Sequence, residues 1–280
     1  MRSSGDERVP VWDAVSPARP SRLVGVSMAG FRDAGGAPVC QRVIPHPSLM
    51  LAVEFGAGSP VVADASGRQQ RGSVAAGLGV GSGGAVWVRG ENIECLQVRL
   101  SPLIARAVLG VPPAELDGFV ALDDVWGGAV ERIRERLSEA SSWAERFAVT
   151  EALLEQSSRE RALVDPEVAW AWRRIVDGGG RVEIEGLAGE LGWSRKRLWS
   201  RFRSQVGLPP KRAAQLVRFD RAVHRLVAGD GAVRVAAEGG YADQSHLHRD
   251  VAAFAGVTPS AVARESWLAV DGVAWPDRPR

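Results

Sequence analysis

The sequence is poor in the side chains that build metal sites and nucleophilic catalytic sites. Its 280 residues include two cysteines, Cys40 and Cys95, and four histidines, of which only His46 lies in the first 200 positions. Two cysteines make no disulfide framework, and one histidine cannot supply the clustered ligands of a metal enzyme. The sequence also lacks a glycine-rich phosphate loop with a lysine and a serine-nucleophile elbow. We therefore expect no enzymatic activity, no metal and no cofactor.

Long apolar runs are missing as well. No stretch approaches the roughly 20 apolar residues that a membrane-spanning helix requires. Residues 1–20 are polar and contain prolines, without the apolar core of a secretory signal. We therefore expect a cytoplasmic protein that does not contact a membrane.

The first half of the chain has the pattern of a β-rich domain followed by helices. The full length leaves room for two domains. Short β-favouring stretches, separated by turns such as Gly81–Gly84, predict a small barrel or sandwich. The predicted strands are Leu23–Ala29, Leu49–Phe55, Val61–Ala65, Ala85–Arg89 and Ile93–Leu100. Helices are predicted at about 103–109, 127–140 and 143–160.

Some features of this half allow more than one interpretation. Apolar residues of the later helices either pack against the barrel or form a dimer interface. They are Val130, Ile133, Leu137, Phe147, Val149, Leu153 and Leu154. Trp12, Trp87 and Cys40 are candidate pocket residues, and His46, between two prolines, is expected at a turn or a pocket rim. The Ser/Arg/Glu-rich stretch 156–165 is the expected linker.

Residues 182–264 contain an internal repeat. A shift of about 48 residues matches Ala188 with Ala236, Glu190 with Glu238, Gly192 with Gly240, and Trp193 with Tyr241. A shift of about 49 residues then matches Ser194 with Asp243, Leu198 with Leu247, and Gly207 with Gly256. The extra residue, Ala242, enters the second turn. A repeat of this length indicates two equivalent supersecondary units.

Each copy predicts two helices joined by a tight turn. Gly192 and the pair Gly239–Gly240 permit the positive φ that such a turn often needs. Ser194 and Asp243 carry the side-chain oxygen suited to cap the next helix. The expected apolar anchors of that helix are Leu198 and Phe202 in the first copy and Leu247, Val251 and Phe254 in the second.

The opposite face of each second helix is polar. Arginine and lysine recognise guanine, glutamine recognises adenine, and serine pairs with either. Residues 180–267 carry 14 Lys and Arg against 9 Asp and Glu, a net charge of +5, whereas the whole chain has +2. We therefore predict two helices lying in DNA major grooves rather than the solvated faces of a helical bundle. The predicted DNA-contacting residues are Arg195, Lys196, Trp199, Ser200 and Arg203 in the first unit and Gln244, Ser245, His248 and Arg249 in the second.

One helix is predicted between the units, over residues 212–227. Its apolar stripe consists of Leu216, Phe219, Val223 and Leu226, and Gly229–Gly231 ends it. Such a helix is about 24 Å long and could hold the units about 34 Å apart, the spacing of successive major grooves. Arg218, Arg221 and Arg225 lie off the stripe, where they either contact phosphates or are solvated.

A long ordered pattern runs through the second copy. It is Gly240-Tyr241-x-Asp243-x-Ser245-His246-Leu247-x-Arg249, followed by Gly256-x-Thr258-Pro259. This pattern resembles the signature of the AraC/XylS family of bacterial transcription regulators. The resemblance covers about residues 166–267 and implies a seven-helix domain that binds asymmetric DNA sites, with the residues named above as contacts. The sequence departs from the family pattern at two positions. Val251 stands where the family usually has an aromatic residue, and Ser200 stands where many members have an arginine, which argues against a base contact at that position. His246 points off the DNA-facing arc, which suggests a structural role.

The stretch from Arg99 to Pro112 resembles, less specifically, a block in the N-terminal domain of many actinobacterial regulators of this type. In such proteins a β-barrel domain commonly senses a small molecule or mediates dimerisation. The sequence thus predicts an α+β chain. A β-barrel-like (cupin-like) domain with helices covers 1–160, β-rich to about 100 and helical from about 103. An all-α domain of two helix-turn-helix motifs joined by a linker helix covers 166–267, and a tail covers 268–280.

The expected function is sequence-specific, DNA-binding regulation of transcription, modulated by the N-terminal domain. The alternative is a small-molecule-binding or enzymatic N-terminal module with a DNA-tethering domain. Some DNA alkylation-repair proteins join such a domain to a zinc site of four clustered cysteines, which two cysteines cannot build. Double-stranded promoter or operator DNA is the expected partner. RNA polymerase, a small-molecule effector and a second copy of the chain are candidate partners.

Overall fold

The N-terminal part of the chain is built from two antiparallel sheets. The computed structural model describes residues 12–33, 38–80, 84–116, 118–158 and 164–265, together with 271, 274 and 275. The strands are β1 Trp12–Val15, β2 Val26–Asp33, β3 Val39–Val43, β4 Leu49–Glu54, β5 Val61–Asp64, β6 Gln69–Arg71, β7 Val74–Ala76, β8 Val86–Gly90, β9 Glu94–Leu100 and β10 Phe119–Ala121.

The two sheets face each other without closing into a barrel. One has the strand order β1-β2-β9-β4-β7-β10 and the other β3-β8-β5-β6, and their strands pair antiparallel. No hydrogen-bonded ladder joins the two sheets within the described residues. The predicted α+β class with a β-rich N-terminal domain is confirmed. The predicted barrel-like arrangement is, in the structure, an open pair of sheets.

Alternate residues along the strands of the larger sheet face two different apolar cores. Along β4, Leu49, Leu51 and Val53 are buried in the apolar core that includes the helices. The alternate residues Met50 and Ala52 pack in the core between the two sheets. This alternation follows from the pleat of a strand, whose successive side chains point to opposite faces.

The five strands predicted from the sequence are all present. The first begins at Val26 rather than Leu23, because a turn closed by the Val26 N–H to the Leu23 carbonyl (3.1 Å) precedes it. Sequence reasoning missed β1, β3, β6, β7 and β10, which have three to five residues each. Of the predicted Gly81–Gly84 turn, only Gly84 lies within the described residues.

Helices cover the outer face of the larger sheet. They are α1 Pro102–Leu109, α2 Leu122–Trp126, α3 Ala129–Glu139 and α4 Trp143–Ser158, with a 3-10 helix at Pro113–Glu115. Val130, Leu137 and Phe147 are buried in the same core as the sheet, which confirms the packing interpretation of these helices. Residues 159–160 of the predicted helix and 159–163 of the predicted linker lie outside the described residues.

The C-terminal part is helical. Its helices are α5 Pro166–Asp177, α6 Ile184–Glu190, α7 Arg195–Val206, α8 Pro210–Val227, α9 Ala232–Glu238, α10 Gln244–Ala255 and α11 Pro259–Val262. The predicted stripe of α8 is buried along its length. Of the predicted tail, residues 271, 274 and 275 are described, and all three are buried. None of the described helices is long and apolar enough to cross a membrane.

Candidate nucleic-acid interface

The first helix-turn-helix unit consists of α6 and α7. Gly192 has φ +63°, so the turn between these helices uses the left-handed region that glycine tolerates. The Ser194 hydroxyl accepts a hydrogen bond of 3.2 Å from the Arg197 N–H and caps α7. Trp193 packs partly buried beside the turn, and Gly207 ends α7 with φ +96°. The predicted turn and cap of this unit are confirmed.

The second unit, α9 and α10, repeats this arrangement. Gly240 has φ +77°, whereas Gly239 stays in the right-handed region with φ −81°. The Asp243 carboxylate accepts a 2.6 Å hydrogen bond from the His246 N–H and caps α10. Gly256 ends α10 with φ +68°. The predicted cap is confirmed, and of the two turn glycines only Gly240 needs its glycine conformation.

One apolar core holds both units against α8. Leu198 and Phe202 of α7 and Leu247, Val251 and Phe254 of α10 are fully buried, as predicted. Phe254 stacks on Phe219 of α8 with ring centroids 4.8 Å apart. Since Val251 is itself fully buried, its replacement of an aromatic affects packing and not a surface that DNA could reach.

The nine predicted DNA-contacting side chains all lie on the surface. They are Arg195, Lys196, Trp199, Ser200, Arg203, Gln244, Ser245, His248 and Arg249, and each is exposed. Trp199 is a notable case, because 48% of this large apolar residue is accessible. The fold brings the first five together on α7 and the other four on the first turns of α10. Both helices therefore present a polar face to solvent, and we call them the recognition helices.

The charges of α7 fall into two groups. Arg195 pairs with Glu185 of α6 at 2.5 Å, and Arg201 pairs with Asp165 at the start of α5. Lys196 and Arg203 form no ion pair with any described residue. Exposed pairs contribute little and are readily exchanged for another anion. The helix thus has unneutralised positive charge available for phosphates.

A polar network that sequence reasoning did not find joins α10 to α8. Arg218 Nη2 lies 2.8 Å from Asp250 Oδ2, and its guanidinium lies over the Tyr241 ring at 4.7 Å. The ring of His246 meets Tyr241 edge-on at 5.3 Å. Burial raises the pKa of the Tyr241 hydroxyl. These contacts confirm the structural role predicted for His246, and the spacing of His246 and Asp250 on one helix face was the available signal.

Arg221 and Arg225 of α8 are also held within the domain. Arg221 Nη2 donates to the Val176 carbonyl at 2.8 Å. Arg225 pairs with Asp230 at 2.7 Å and with Glu238 at 2.6 Å. Phosphate contact by these arginines stays a prediction, and without DNA their side chains pair within the domain. These contacts join α8 to α5 and α9.

Part of this region matches a family model, and solved structures are similar to the chain at low sequence identity. Residues 187–265 match the family model described as a helix-turn-helix domain. Among solved structures, ToxT from Vibrio cholerae O395 is similar over 85% of this chain and 97% of its own, at 10% identity and a TM-score of 0.48. The C-terminal domain of AraT, a response regulator from Geobacillus stearothermophilus, is similar over 37% of this chain and 88% of its own, at 20% identity and a TM-score of 0.35. No curated protein matches the chain.

The family match and the geometry agree on what the C-terminal part is. The matched residues run from α6 past α11 and so contain both units and the helix between them. Each unit has the turn, the cap and the exposed polar helix that a DNA-binding motif requires. Residues 187–265 of this chain form a helix-turn-helix domain, and its second unit carries the pattern that resembles the signature of AraC-type transcription regulators.

Proposed function

We propose that the protein recognises specific DNA sequences by placing α7 and α10 in adjacent major grooves on one face of the duplex. The observation that carries the proposal is the exposure of all nine predicted DNA-contacting side chains on two helices of equal length, each anchored on α8 by its opposite face. A recognition helix presents its N-terminal residues to base edges. Lys196 and Gln244 occupy these positions, one in each unit.

The spacing of the units supports binding in successive grooves. Helix α8 has 18 residues, two of them beyond the predicted N-terminal boundary, and is about 27 Å long. Successive major grooves on one face are about 34 Å apart. A helix of this length that packs against both recognition helices can hold them on one face of the duplex.

The test is a footprint on fragments selected by the purified protein from genomic DNA. We expect protection over about 20 base pairs, corresponding to two helical turns. If about six to eight phosphates are neutralised, log affinity should fall against log salt with a slope of about −5 to −7. Protection confined to one helical turn, or no protection at low ionic strength, would contradict the proposal. In a bacterium such a regulator acts in the cytoplasm, where the chromosome lies.

A small-molecule effector, if one controls DNA binding, has a place between the two sheets. A cavity of about 50 Å³ lies there and is lined mainly by apolar side chains. Three buried polar atoms that line it have no hydrogen-bond partner among the described residues: Gln41 Nε2, Glu54 Oε2 and Gln97 Oε1. Each such atom costs about 1–3 kcal/mol. A ligand that offers both a donor and an acceptor would relieve that cost.

The lining also restricts the charge of the ligand. The second oxygen of Glu54, Oε1, lies 2.8 Å from Arg134 Nη2. Burial raises the pKa of Glu54 while Arg134 opposes the rise. Since the site has no unpaired charge to offer and little room, we propose a small neutral molecule with one hydroxyl or amide group on an apolar body. An ion would lose its hydration without gaining a counter-charge.

Melting temperatures in the presence of three- to five-carbon alcohols and primary amides test this site. A ligand that binds the folded state raises the melting temperature, and Gln97→Met should remove the rise while the exposed-site control Gln69→Met keeps it. A bound compound that also shifts DNA affinity and is recovered unchanged favours a regulator over an enzymatic module. No rise with any compound would mean that water alone fills the cavity.

A second copy of the chain and RNA polymerase stay predictions as partners. Half-buried Val149 and Leu153 on α4 are the surface that we would assign to self-association. A dimer would address two DNA sites at once and gain affinity through effective concentration. Sedimentation equilibrium of wild type beside Leu153→Glu tests this: a wild-type monomer at micromolar concentration contradicts self-association.

A further inference from the structure

The N-terminal domain contacts the C-terminal end of the first recognition helix. Gly207, which ends α7, is packed so closely that an added Cβ would lie 3.1 Å from the carbonyl oxygen of Pro113. The neighbouring Leu208 side chain lies 3.6 Å from the corresponding Cβ position of Gly79. The end of α7 is therefore seated between the 3-10 helix and the loop after β7.

The second recognition helix is contacted at the equivalent end. Arg42 of β3 donates from Nη1 to the Ala255 carbonyl at 3.2 Å. Gly84 lies so near α10 that a Cβ there would collide with the carbonyl oxygen of Phe254. One domain thus touches the C-terminal ends of both recognition helices.

A short C-terminal segment ties the two domains together. We call residues 271, 274 and 275 the C-terminal strap. Asp271 Oδ1 lies 2.7 Å from Arg99 Nη2 on β9, and Asp271 Oδ2 lies 3.0 Å from His224 Nε2 on α8. The Asp271 side chain is only 3% exposed. A single buried carboxylate therefore links the larger sheet to the helix that spaces the two units.

Trp275 strengthens the same junction. The Arg99 guanidinium lies over its ring at 4.0 Å from the centroid, and Phe31 lies 6.4 Å away, centroid to centroid. Trp275 belongs to the apolar core between the sheets. Its indole N–H has no hydrogen-bond partner among the described residues, so packing and the cation–π contact hold the ring.

We propose that the C-terminal strap locks the N-terminal domain onto α8 and thereby holds α7 and α10 at their DNA-binding separation before DNA is encountered. This inference rests on the proposed function. Preorganisation lowers the cost of binding because the units need not be ordered during association. A cavity of about 470 Å³ lies between the domains and is walled in part by Trp275. The strap contacts add to the apolar core that the two domains share and fix the edge of the junction beside this space.

The locked arrangement leaves the reading surfaces accessible. The N-terminal domain reaches Gly207 and Ala255, at the far ends of the recognition helices, whereas Lys196 and Gln244 lie at their first turns and are exposed. Base edges are read by those first turns. The strap contacts therefore favour two-groove binding, and the N-terminal domain does not cover the residues that would contact DNA.

The test compares full-length wild type with Asp271→Asn, and Trp275→Ala with Trp275→Phe. The surface change Asp124→Asn is the matched control, since that residue is exposed on α2. Affinity is measured for the selected two-groove site and for a half-site, and the radius of gyration without DNA is measured by small-angle X-ray scattering. We expect Asp271→Asn and Trp275→Ala to lower the affinity for the two-groove site about tenfold, because the second recognition helix is no longer held in position when the first has bound. The affinity for the half-site should be unchanged. The radius of gyration should increase in both, and Trp275→Phe and Asp124→Asn should match wild type.

Two-groove affinity in Asp271→Asn equal to or above that of wild type would overturn the inference. If wild type binds no DNA, the proposed function fails, and the radius of gyration decides the strap by itself: no increase in Asp271→Asn overturns it. If Asp271→Asn does not fold, the Trp275→Ala and Trp275→Phe pair gives the same decision.

Discussion

The two helix-turn-helix units have the same scaffold and different surfaces. Each recognition helix has 12 residues, a side-chain cap before it and a left-handed glycine after it. Buried Phe202 of the first unit corresponds to buried Val251 of the second. The exposed positions differ: α7 has five basic residues, whereas α10 has a single arginine, Arg249, and one exposed histidine, His248. Shared burial sets the fold, and the exposed differences set what each unit can read.

This difference indicates a division of labour on DNA. The first unit, rich in positive charge, suits phosphate neutralisation and guanine contacts. The second unit, with Gln244 and Ser245 in its first turn, suits hydrogen bonding to base edges. A site bound by two unlike units has no reason to be symmetric. The comparison therefore predicts an asymmetric operator whose two halves respond differently to salt and to base changes.

The largest effect should come from the shared core. Phe202→Ala and Phe254→Ala, both at fully buried positions, should each lower the free energy of unfolding by about 3–5 kcal/mol. Urea denaturation measures the loss, with Phe→Leu at each position as the milder control. Because both rings belong to one core, each variant should unfold in a single transition. A loss below about 1 kcal/mol at either position would show that the units are not equivalent in packing.

Removing a predicted DNA-contacting side chain from either unit should weaken DNA binding. Lys196→Ala and Arg249→Ala should each weaken specific binding by about 1–3 kcal/mol where a base contact is lost. Lys211→Ala and Arg136→Ala, exposed residues outside both recognition helices, are the matched controls. Fluorescence anisotropy against the selected operator measures the change. Unchanged affinity in both variants would refute the assigned faces.

The salt dependence sharpens this test. If Lys196 neutralises a phosphate, Lys196→Ala should reduce the magnitude of the salt slope by about one. Gln244→Ala should leave the slope unchanged and relax the base preference at one operator position, since an amide carries no charge. A change of slope with Gln244→Ala would indicate that the second unit has been misplaced on the DNA.

The sequence was most informative where a residue has a single structural reason to be present. The left-handed Gly192 and Gly240, the capping Ser194 and Asp243, and the buried stripe of α8 all follow from local rules, and all were predicted correctly. The repeat doubled each signal. Exposure of the polar faces followed directly from the same helical periodicity.

The contacts that sequence reasoning missed join residues far apart in the chain. The Arg218–Asp250 pair and the Asp271 links to Arg99 and His224 depend on tertiary packing, which no local pattern records. Similarly, β1, β3 and β10 become strands by pairing with distant partners rather than by their own propensity. Of the candidate pocket residues, Trp12 lines the cavity between the sheets, whereas Cys40 is exposed.

The caps should contribute smaller and nearly equal effects in the two units. Ser194→Ala and Asp243→Ala should each cost about 1 kcal/mol of stability, because each leaves a backbone N–H of the recognition helix without its acceptor. Ser194→Thr and Asp243→Asn keep an acceptor and are the controls. Thermal and urea denaturation give the values. A loss in one unit only would show that the other helix is stabilised by its packing alone.

The smallest expected effect is a pH-dependent loss of stability that is confined to the first unit. Hydrogen bonds from Gln205 and Arg201 hold the pKa of Asp165 below its ordinary value, and both donors belong to the first recognition helix. A carboxylate with a lowered pKa stabilises the folded state above its unfolded pKa of about 3.9, and this contribution is lost as pH falls through the folded value. Since the pair is partly exposed, Asp165→Asn should cost under about 1 kcal/mol of folding free energy at pH 6.

The side chain of Asp165 makes no capping bond to α5, so the loss of stability reports on the link to α7. Hydrogen exchange should show the loosening in α7 and not in α10, and the difference from wild type should shrink below about pH 4. Equal loosening in both helices would mean that the units respond as one body rather than through their separate surfaces.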